Sequence, residues 1–241
     1  MNSRAVDVVI PCFNAERFVG AAIESVFAQR REGTRIIFID DGSTDGSAAI
    51  AGAFGPRGEC WSQSNAGIAA ARNAGIARAQ APYLAFVDAD DLWTDGSLAA
   101  RFAALDRSPG AECVFGALQQ FLSPELDPAA AARIDFEPAP TVARFVGTML
   151  IRRDAFLRAG PFDTALKVGE MVDWVSRAEF AGVSIVTLDA VVMRRRIHGN
   201  NTVMRQKMNQ ADYLRALKAA IDRRRRGGDE AATTADVRVA L

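Results

Sequence analysis

The chain has a single histidine and only three cysteines in 241 residues, and its 29 Lys and Arg balance 29 Asp and Glu to a formal charge of zero. Each scarcity removes a class of protein. Cys12, Cys60 and Cys113 are odd in number, far apart and without metal-ligand spacing, so neither a disulfide framework nor a zinc site is expected. Zero net charge with 49% hydrophobic residues argues against disorder and against a nucleic-acid binder with a basic surface, and leaves any charge effect local. No segment reaches the roughly 18 apolar residues of a membrane span, and the apolar stretch in MNSRAVDVVIP is too short for a signal peptide. The expectation is a cytoplasmic protein, soluble or at most peripheral on the inner membrane face. No G-x-G-x-x-G follows the first apolar run, where the loop reads PCFNAERF, so a dinucleotide-dependent oxidoreductase is the weakest reading of an α/β pattern.

What is present is a repeated strand-then-helix pattern whose polar residues gather at strand ends. Val6 to Ile10 is an unbroken apolar run stopped by Pro11, which reads as a buried parallel strand. Phe18, Val19, Ala22, Ile23, Val26 and Phe27 then recur at helical spacing, with Asn14 placed to cap that helix and Gly33 beyond its end. Ile36 to Ile39 repeats the strand and runs into DDGSTD at Asp40 to Asp45, with a helix expected over 48–54. Cys60 to Gln63 suits a short strand, and an Ala-rich helix opens near Asn65 and stops before Pro82. Open α/β sheets bind ligands beyond the carboxyl ends of their strands, so DDGSTD and the DADD of Tyr83 to Asp91 would face one crevice.

The stretch YLAFVDADD is the centre of that arrangement. Asp88, Asp90 and Asp91 repel one another unless something cationic joins them. Mg²⁺ takes one or two protein carboxylates and fills its remaining positions with water and phosphate oxygens, so the cluster suits a nucleoside-diphosphate substrate. The alternative is an acidic turn capping the helix that starts near Leu98, and a helix-capping turn is equally open for DDGSTD. Arg72 either reaches a diphosphate in the crevice or is a surface cation.

VVIPCFN, DDGSTD, NAGIAAARN and YLAFVDADD, in this order and at these separations, resemble the donor half of family 2 glycosyltransferases of the GT-A fold. The resemblance implies an α/β domain with a Rossmann-like mixed, mainly parallel sheet flanked by helices. It further implies a nucleotide-diphospho-sugar donor, UDP-linked by preference, a divalent ion (Mg²⁺ or Mn²⁺) on the DXD motif, and inversion at the anomeric carbon. Carried over, Pro11 and Asn14 shape the first loop, Asp41 meets the base, Arg72 nears the diphosphate, Asp88 lies by the ribose and Asp90 binds the metal. Asp91 is then a neighbour of the metal site or a helix cap.

The second half is less regular, with Leu98 to Leu105 a helix, Cys113 to Gly116 a strand, and Ser123 to Pro140 a variable loop or weak helix. Gly147 to Arg153 and Ala155 to Asp163 resemble the family's strand, short helix and GGFD-like turn, here GPFD. Gly169 to Arg177 occupies the slot of the helix that supplies the catalytic base, but Met171 stands where Asp is usual. The remaining carboxylates there are Glu170 and Asp173. Arg177, four residues on, is placed to ion-pair with Asp173 and hold it ionised, which makes Glu170 the better candidate base. Met171 also motivates a second reading, a catalytically silent nucleotide-sugar binder. Arg194 to Asn201 resembles the R-x-H-x-x-N segment near the donor diphosphate, with His198 as a metal or phosphate contact or a structural residue.

The domain is expected over 1–208, with a nucleotide-sugar half at 1–106 and an acceptor half at 107–208. A basic helix and flexible tail follow over 209–241. That helix has Tyr213, Leu214, Leu217 and Ile221 on one face and ends in Arg223 to Arg226. It either docks on the domain or meets an acidic membrane surface. The acceptor, whether saccharide, lipid-linked, peptide or small molecule, is left open, and no nucleic-acid partner is expected.

Overall fold

The computed structural model describes residues 4–55, 58–134, 136–199 and 210–226. Asn201 and the tail from Gly227 lie outside the described residues. Strands β1 (Val6–Cys12), β2 (Thr34–Asp40), β3 (Gly58–Ser62) and β4 (Tyr83–Phe86) pair in parallel in the order β3-β2-β1-β4. The apolar runs of β1, β2 and β4 are continuous because helices cover both faces, while the edge strand β3 is partly exposed. Val6, Val8 and Ile10 pack with Val19 and Ile23 of α1 (Val19–Phe27) and Leu98 and Phe102 of α4 (Ser97–Arg107). Val9, Ile37 and Phe86 face the other way, toward Ala71 of α3 (Ile68–Arg78), Phe156 of α6 (Arg153–Ala159) and Trp174 of α7 (Glu170–Phe180). Two short helices, α2 (Ser47–Gly52) and α5 (Pro128–Ala131), sit in connections. Gly75 lets α3 ride close on β1, since a Cβ there would fall 2.4 Å from Val9 Cγ1.

Pro11 does not stop the first strand. It lies inside β1, in register with Ile39. Val87 N donates to Val9 O, so Val9 and, by alternation, Pro11 turn their backbone polar groups toward β4. The β1–β4 ladder ends at Val9 and Phe86, so no ladder bond is lost for want of a proline N–H.

From β4 the sheet continues through β8 (Met149–Arg152), β6 (Cys113–Leu122), β9 (Ile185–Ile197) and β5 (Leu92–Trp93), with β7 (Thr141–Val142) paired to β6. β8 runs antiparallel to β4 and β6, and β6 runs parallel to β9. The whole is one α/β domain with a mixed sheet. The strand expected to end at Gly116 runs on to Leu122, because β9 pairs with it as far as Ile197. This brings the C-terminal end of β9 to the turn that holds Asp90.

Helix α8 (Gln210–Arg226) lies against α7. Gly169, at φ +83°, admits it: a Cβ on that glycine would stand 3.3 Å from Ala216 Cβ. Lys167 N donates to Asp212 at 3.3 Å and Arg223 Nη2 to Asp173 at 2.6 Å. The stripe read from sequence divides, with Tyr213 and Leu217 half-buried and Leu214 and Ile221 exposed, and the buried residue of the helix is Ala216, outside that stripe. No helix among the described residues is long and apolar enough to cross a membrane.

Candidate active site

The loops after β1 and β2 are zipped together. Asn14 N donates to Ser43 Oγ, Thr44 N to Asn14 Oδ1, Ala15 N to Ser47 Oγ and Glu16 N to Asp45 Oδ2, at 2.8 to 3.1 Å. Asn14, at φ +50°, is thereby tied to DDGSTD and does not cap α1, whose first turn has no side-chain cap. The spacing suggested a cap, but the partner of Asn14 is thirty residues away in sequence. Asp41 is buried, and its carboxylate accepts from Gln63 Nε2, Ala66 N and Gly67 N at 2.8 to 2.9 Å. It thus fixes the backbone that leads into α3 at the floor of the crevice.

The three aspartates of DADD have separate partners. Asp88 receives both bonds of Arg72 Nη2, at 2.8 and 3.0 Å. Asp91 is buried and turned toward β9, its Oδ1 accepting from Arg196 N at 2.8 Å. Asp90, the most exposed of the three, lies 3.0 Å from His198 Nε2. Arg196 Nε donates to the carbonyl of Asp90 at 3.0 Å, and the His198 ring packs on Phe18 at 4.7 Å between centroids. Burial pushes the Asp91 carboxyl well up, and the charges of Asp90 and Asp88 add to it. Asp88 is raised by burial and by Asp90, against the pull of Arg72. Phe18, read from sequence as a helix-face residue only, is thus a part of the site that the motifs did not mark, whereas Arg196 is the arginine of the R-x-H-x-x-N segment.

Among the described residues no group of three or more His, Cys, Asp or Glu is spaced to hold a metal ion. The donor pair Asp90 and His198 fits a divalent ion that takes one carboxylate and one imidazole and completes its shell with phosphate oxygens and water.

Arg72 is the second junction. Its guanidinium is buried, and besides Asp88 it reaches Glu170 Oε1 through Nη1 at 3.0 Å. Burial would lower its pKa, but Asp88 and Glu170 raise it, so it stays charged. Glu170, which has no partner within its own helix by spacing, therefore has a tertiary one. Asp173 forms the predicted ion pair with Arg177 at 2.8 Å and a second with Arg223. Burial works to raise its pKa, but these arginines outweigh it and leave Asp173 below the usual carboxylate range. The structure thus brings Arg72, Asp88 and Glu170 into direct contact, and Asp90 with His198. It turns Asp173 toward α8. Met171 packs its side chain into the α7 core cluster.

A family model described as Glycosyl transferase family 2 matches residues 7–156, a span that includes Asp41, Arg72, Asp88 and Asp90 but ends before Glu170 and His198. In sequence, an uncharacterized glycosyltransferase of Rickettsia typhi, RT0329, is 26% identical over 229 residues, which cover 89% of this chain and 70% of that protein. YibD of Escherichia coli, also an uncharacterized glycosyltransferase, is 43% identical over 95 residues, 38% of this chain and 28% of that one. In structure, S. aureus TarS 1-349 in complex with UDP-GlcNAc superposes with a TM-score of 0.72 at 16% identity, over 91% of this chain and 66% of that one. Mannosyltransferase PcManGT from Pyrobaculum calidifontis, in complex with GDP-Man and Mn²⁺, superposes with a TM-score of 0.64 at 18% identity, over 93% and 65%. At these identities the structures share the fold, which is GT-A, and the chain spans about two thirds of their length.

Proposed function

Because the chain belongs to glycosyl transferase family 2, we propose that it moves a sugar from a nucleoside-diphosphate donor, UDP-linked by preference, to an acceptor nucleophile with inversion. The observation that carries the reading is that one crevice edge holds both an Asp90–His198 pair suited to an ion and the Arg72 guanidinium that joins Asp88 to Glu170. The UDP-GlcNAc held by TarS and the GDP-Man and Mn²⁺ held by PcManGT support a nucleotide-sugar donor.

In this reading Pro11 and Asn14 shape the first loop, Asp41 receives the base, Asp88 lies by the ribose and Arg72 faces the diphosphate. Asp90 and His198 hold the Mg²⁺ or Mn²⁺, which when bound supplies a Lewis acid for the departing diphosphate. The acceptor oxygen forms its bond to the anomeric carbon as the bond to the diphosphate breaks, and the nucleoside diphosphate leaves with the electron pair. Positive charge develops on the sugar meanwhile. The acceptor proton passes to Glu170, and Arg72 opposes the charge growing on the leaving group.

A second reading rests on Met171, which packs into the core and offers no carboxylate, and on the engagement of Glu170 by Arg72. It is a silent nucleotide-sugar binder. Thermal shifts with UDP-, GDP- and dTDP-sugars and Mn²⁺ would find the donor, and a hydrolysis assay would then separate the two readings. The transferase releases sugar; the silent binder binds UDP and releases none.

A further inference from the structure

Helix α7 begins without a side-chain cap of its own. The residue before it is Gly169, at φ +83° and ψ +9°, which has nothing to offer the free N–H groups of the first turn, the turn that carries Glu170. Farther along, α7 is fixed to the end of α6. Trp174 Nε1 donates to Gly160 O at 3.0 Å, and Arg177 donates to Pro161 O at 2.7 Å and to Ala159 O. The Trp174 ring also stacks on Phe156, with 5.0 Å between centroids. Glu170 stands ahead of all these anchors.

Support at that end comes from α8. Lys167 N, three residues before Glu170, donates to Asp212 Oδ2 at 3.3 Å. Tyr213 and the buried Ala216 close over Gly169, where a Cβ would stand 3.3 Å from Ala216 Cβ, 3.4 Å from Tyr213 Cα and 3.5 Å from Tyr213 Cδ2. One turn of α8 is thus seated on the residues that lead into α7. Glu170 is therefore held from two directions, its side chain by Arg72 Nη1 at 3.0 Å and its backbone by the lead-in that α8 covers. Arg223, near the far end of α8, bonds Asp173 instead.

We propose that α8 positions the base, with Asp212, Tyr213 and Ala216 as positioning residues that act on Glu170 through the lead-in at Lys167 to Gly169. The inference rests on the glycosyltransferase reading with Glu170 as the base. A helix start without a cap is free to shift, and misplacement of a catalytic group by about 1 Å can cost about 10²-fold in rate. Seating α8 on Gly169 removes that freedom. Glycine is required there twice over, by the left-handed turn and by the close approach of the second helix.

The test uses the full chain with Mn²⁺ and whichever UDP-, GDP- or dTDP-sugar gives the largest thermal shift. It measures kcat for sugar release to water, per nucleotide-binding site counted by calorimetry, with KM and melting temperature alongside. Ala216→Leu, which forces α8 away from Gly169, should lower kcat by about tenfold to a hundredfold with donor KM and affinity kept. Asp212→Ala should lower kcat less, and Asp212→Asn, which keeps an oxygen for Lys167 N, should restore it. This pair decides the matter if Ala216→Leu does not fold. Arg223→Met is the control: it should melt lower with kcat per site kept, since it removes a bond to Asp173 and leaves the lead-in covered. In a Glu170→Gln background the losses from Ala216→Leu and Asp212→Ala should vanish, because residues that act as a unit are not additive. Losses that persist in that background would overturn the proposal, as would variants that only melt lower while kcat per site is unchanged. Failure of the parent reading looks different: the wild-type chain then releases no sugar from any donor, and this inference falls with it.

Discussion

Arg72 Nη1 lies 3.0 Å from Glu170 Oε1, although 98 residues separate them, while Nη2 of the same guanidinium holds both oxygens of Asp88. A single buried cation therefore sets the distance between the strand that carries the aspartates and the helix that carries the candidate base. Removing it would leave two largely buried carboxylates facing each other without a cation between them. Arg72→Met should thus destabilise the fold by about 3–5 kcal/mol, as when one partner of a buried pair is lost. Urea denaturation reads the loss. Adding Glu170→Gln should return part of it, with a coupling of at least about 0.5 kcal/mol in a double-mutant cycle. Strictly additive losses would show that the contact carries no energy.

Asp90 behaves differently because it has no arginine partner among the described side-chain contacts. Burial and its neighbours' charges already press on Asp88 and Asp91, and Asp90 adds to the repulsion felt by both. Asp90→Ala should leave the metal-free protein as stable as before or melt it higher, and should abolish the gain in UDP affinity that Mn²⁺ confers. Calorimetry with and without Mn²⁺ checks both halves. Unchanged UDP affinity in Mn²⁺ would remove Asp90 from the metal site.

Asp173 makes a pH prediction. Burial raises its pKa, but Arg177 and Arg223 more than offset this, so the folded value lies below the ordinary aspartate value of 3.8. Its stabilising effect is therefore full above the unfolded pKa, fades as pH falls through the folded one, and is absent below both. Asp173→Asn should lower stability by about 1.5–3 kcal/mol at pH 7, the range for hydrogen bonds to a charged group. That gap should stay level down to about pH 5 and close at lower pH. A gap that widens in acid would mean the arginines do not hold Asp173 ionised.

The parts of this molecule that could be read from sequence are those whose causes are local. β1, β2 and β4 are continuous apolar runs because both their faces are covered, α3 follows from an alanine-rich stretch closed by Pro82, and α7 from the likeness of Gly169 to Arg177 to a helix of the family. Asn14 departs from the capping pattern because its backbone turns at φ +50° to meet Ser43 and Thr44, a tertiary arrangement outside the reach of local spacing. The run Arg194 to Arg196 is read from sequence only as the start of a segment like one of the family. Only its place in a strand sends Arg195 to Phe145 and its neighbours to Phe121. The partner of Glu170 lay beyond reach for the same reason, since nothing near it in the chain points to Arg72.

The choice of base follows from these contacts. Asp173 is bonded to Arg177 Nε and Arg223 Nη2, both its oxygens are engaged, and its lowered pKa makes it a weak proton acceptor. Glu170 is bonded at Oε1 alone, leaves Oε2 without a hydrogen bond among the described residues, and stands at the first turn of α7 beside the crevice. Its partner Arg72 also holds Asp88, so a diphosphate that draws on Arg72 would loosen its hold on Glu170 as the acceptor arrives. Glu170→Gln should therefore cost roughly 10² to 10⁴ in kcat, as for a general base, with donor affinity kept. Asp173→Asn should change kcat little once its lower stability is allowed for. Sugar transfer and donor binding measured side by side give the answer. If Asp173→Asn alone is inactive the two roles are exchanged, and if neither variant loses activity the nucleophile needs no carboxylate from α7.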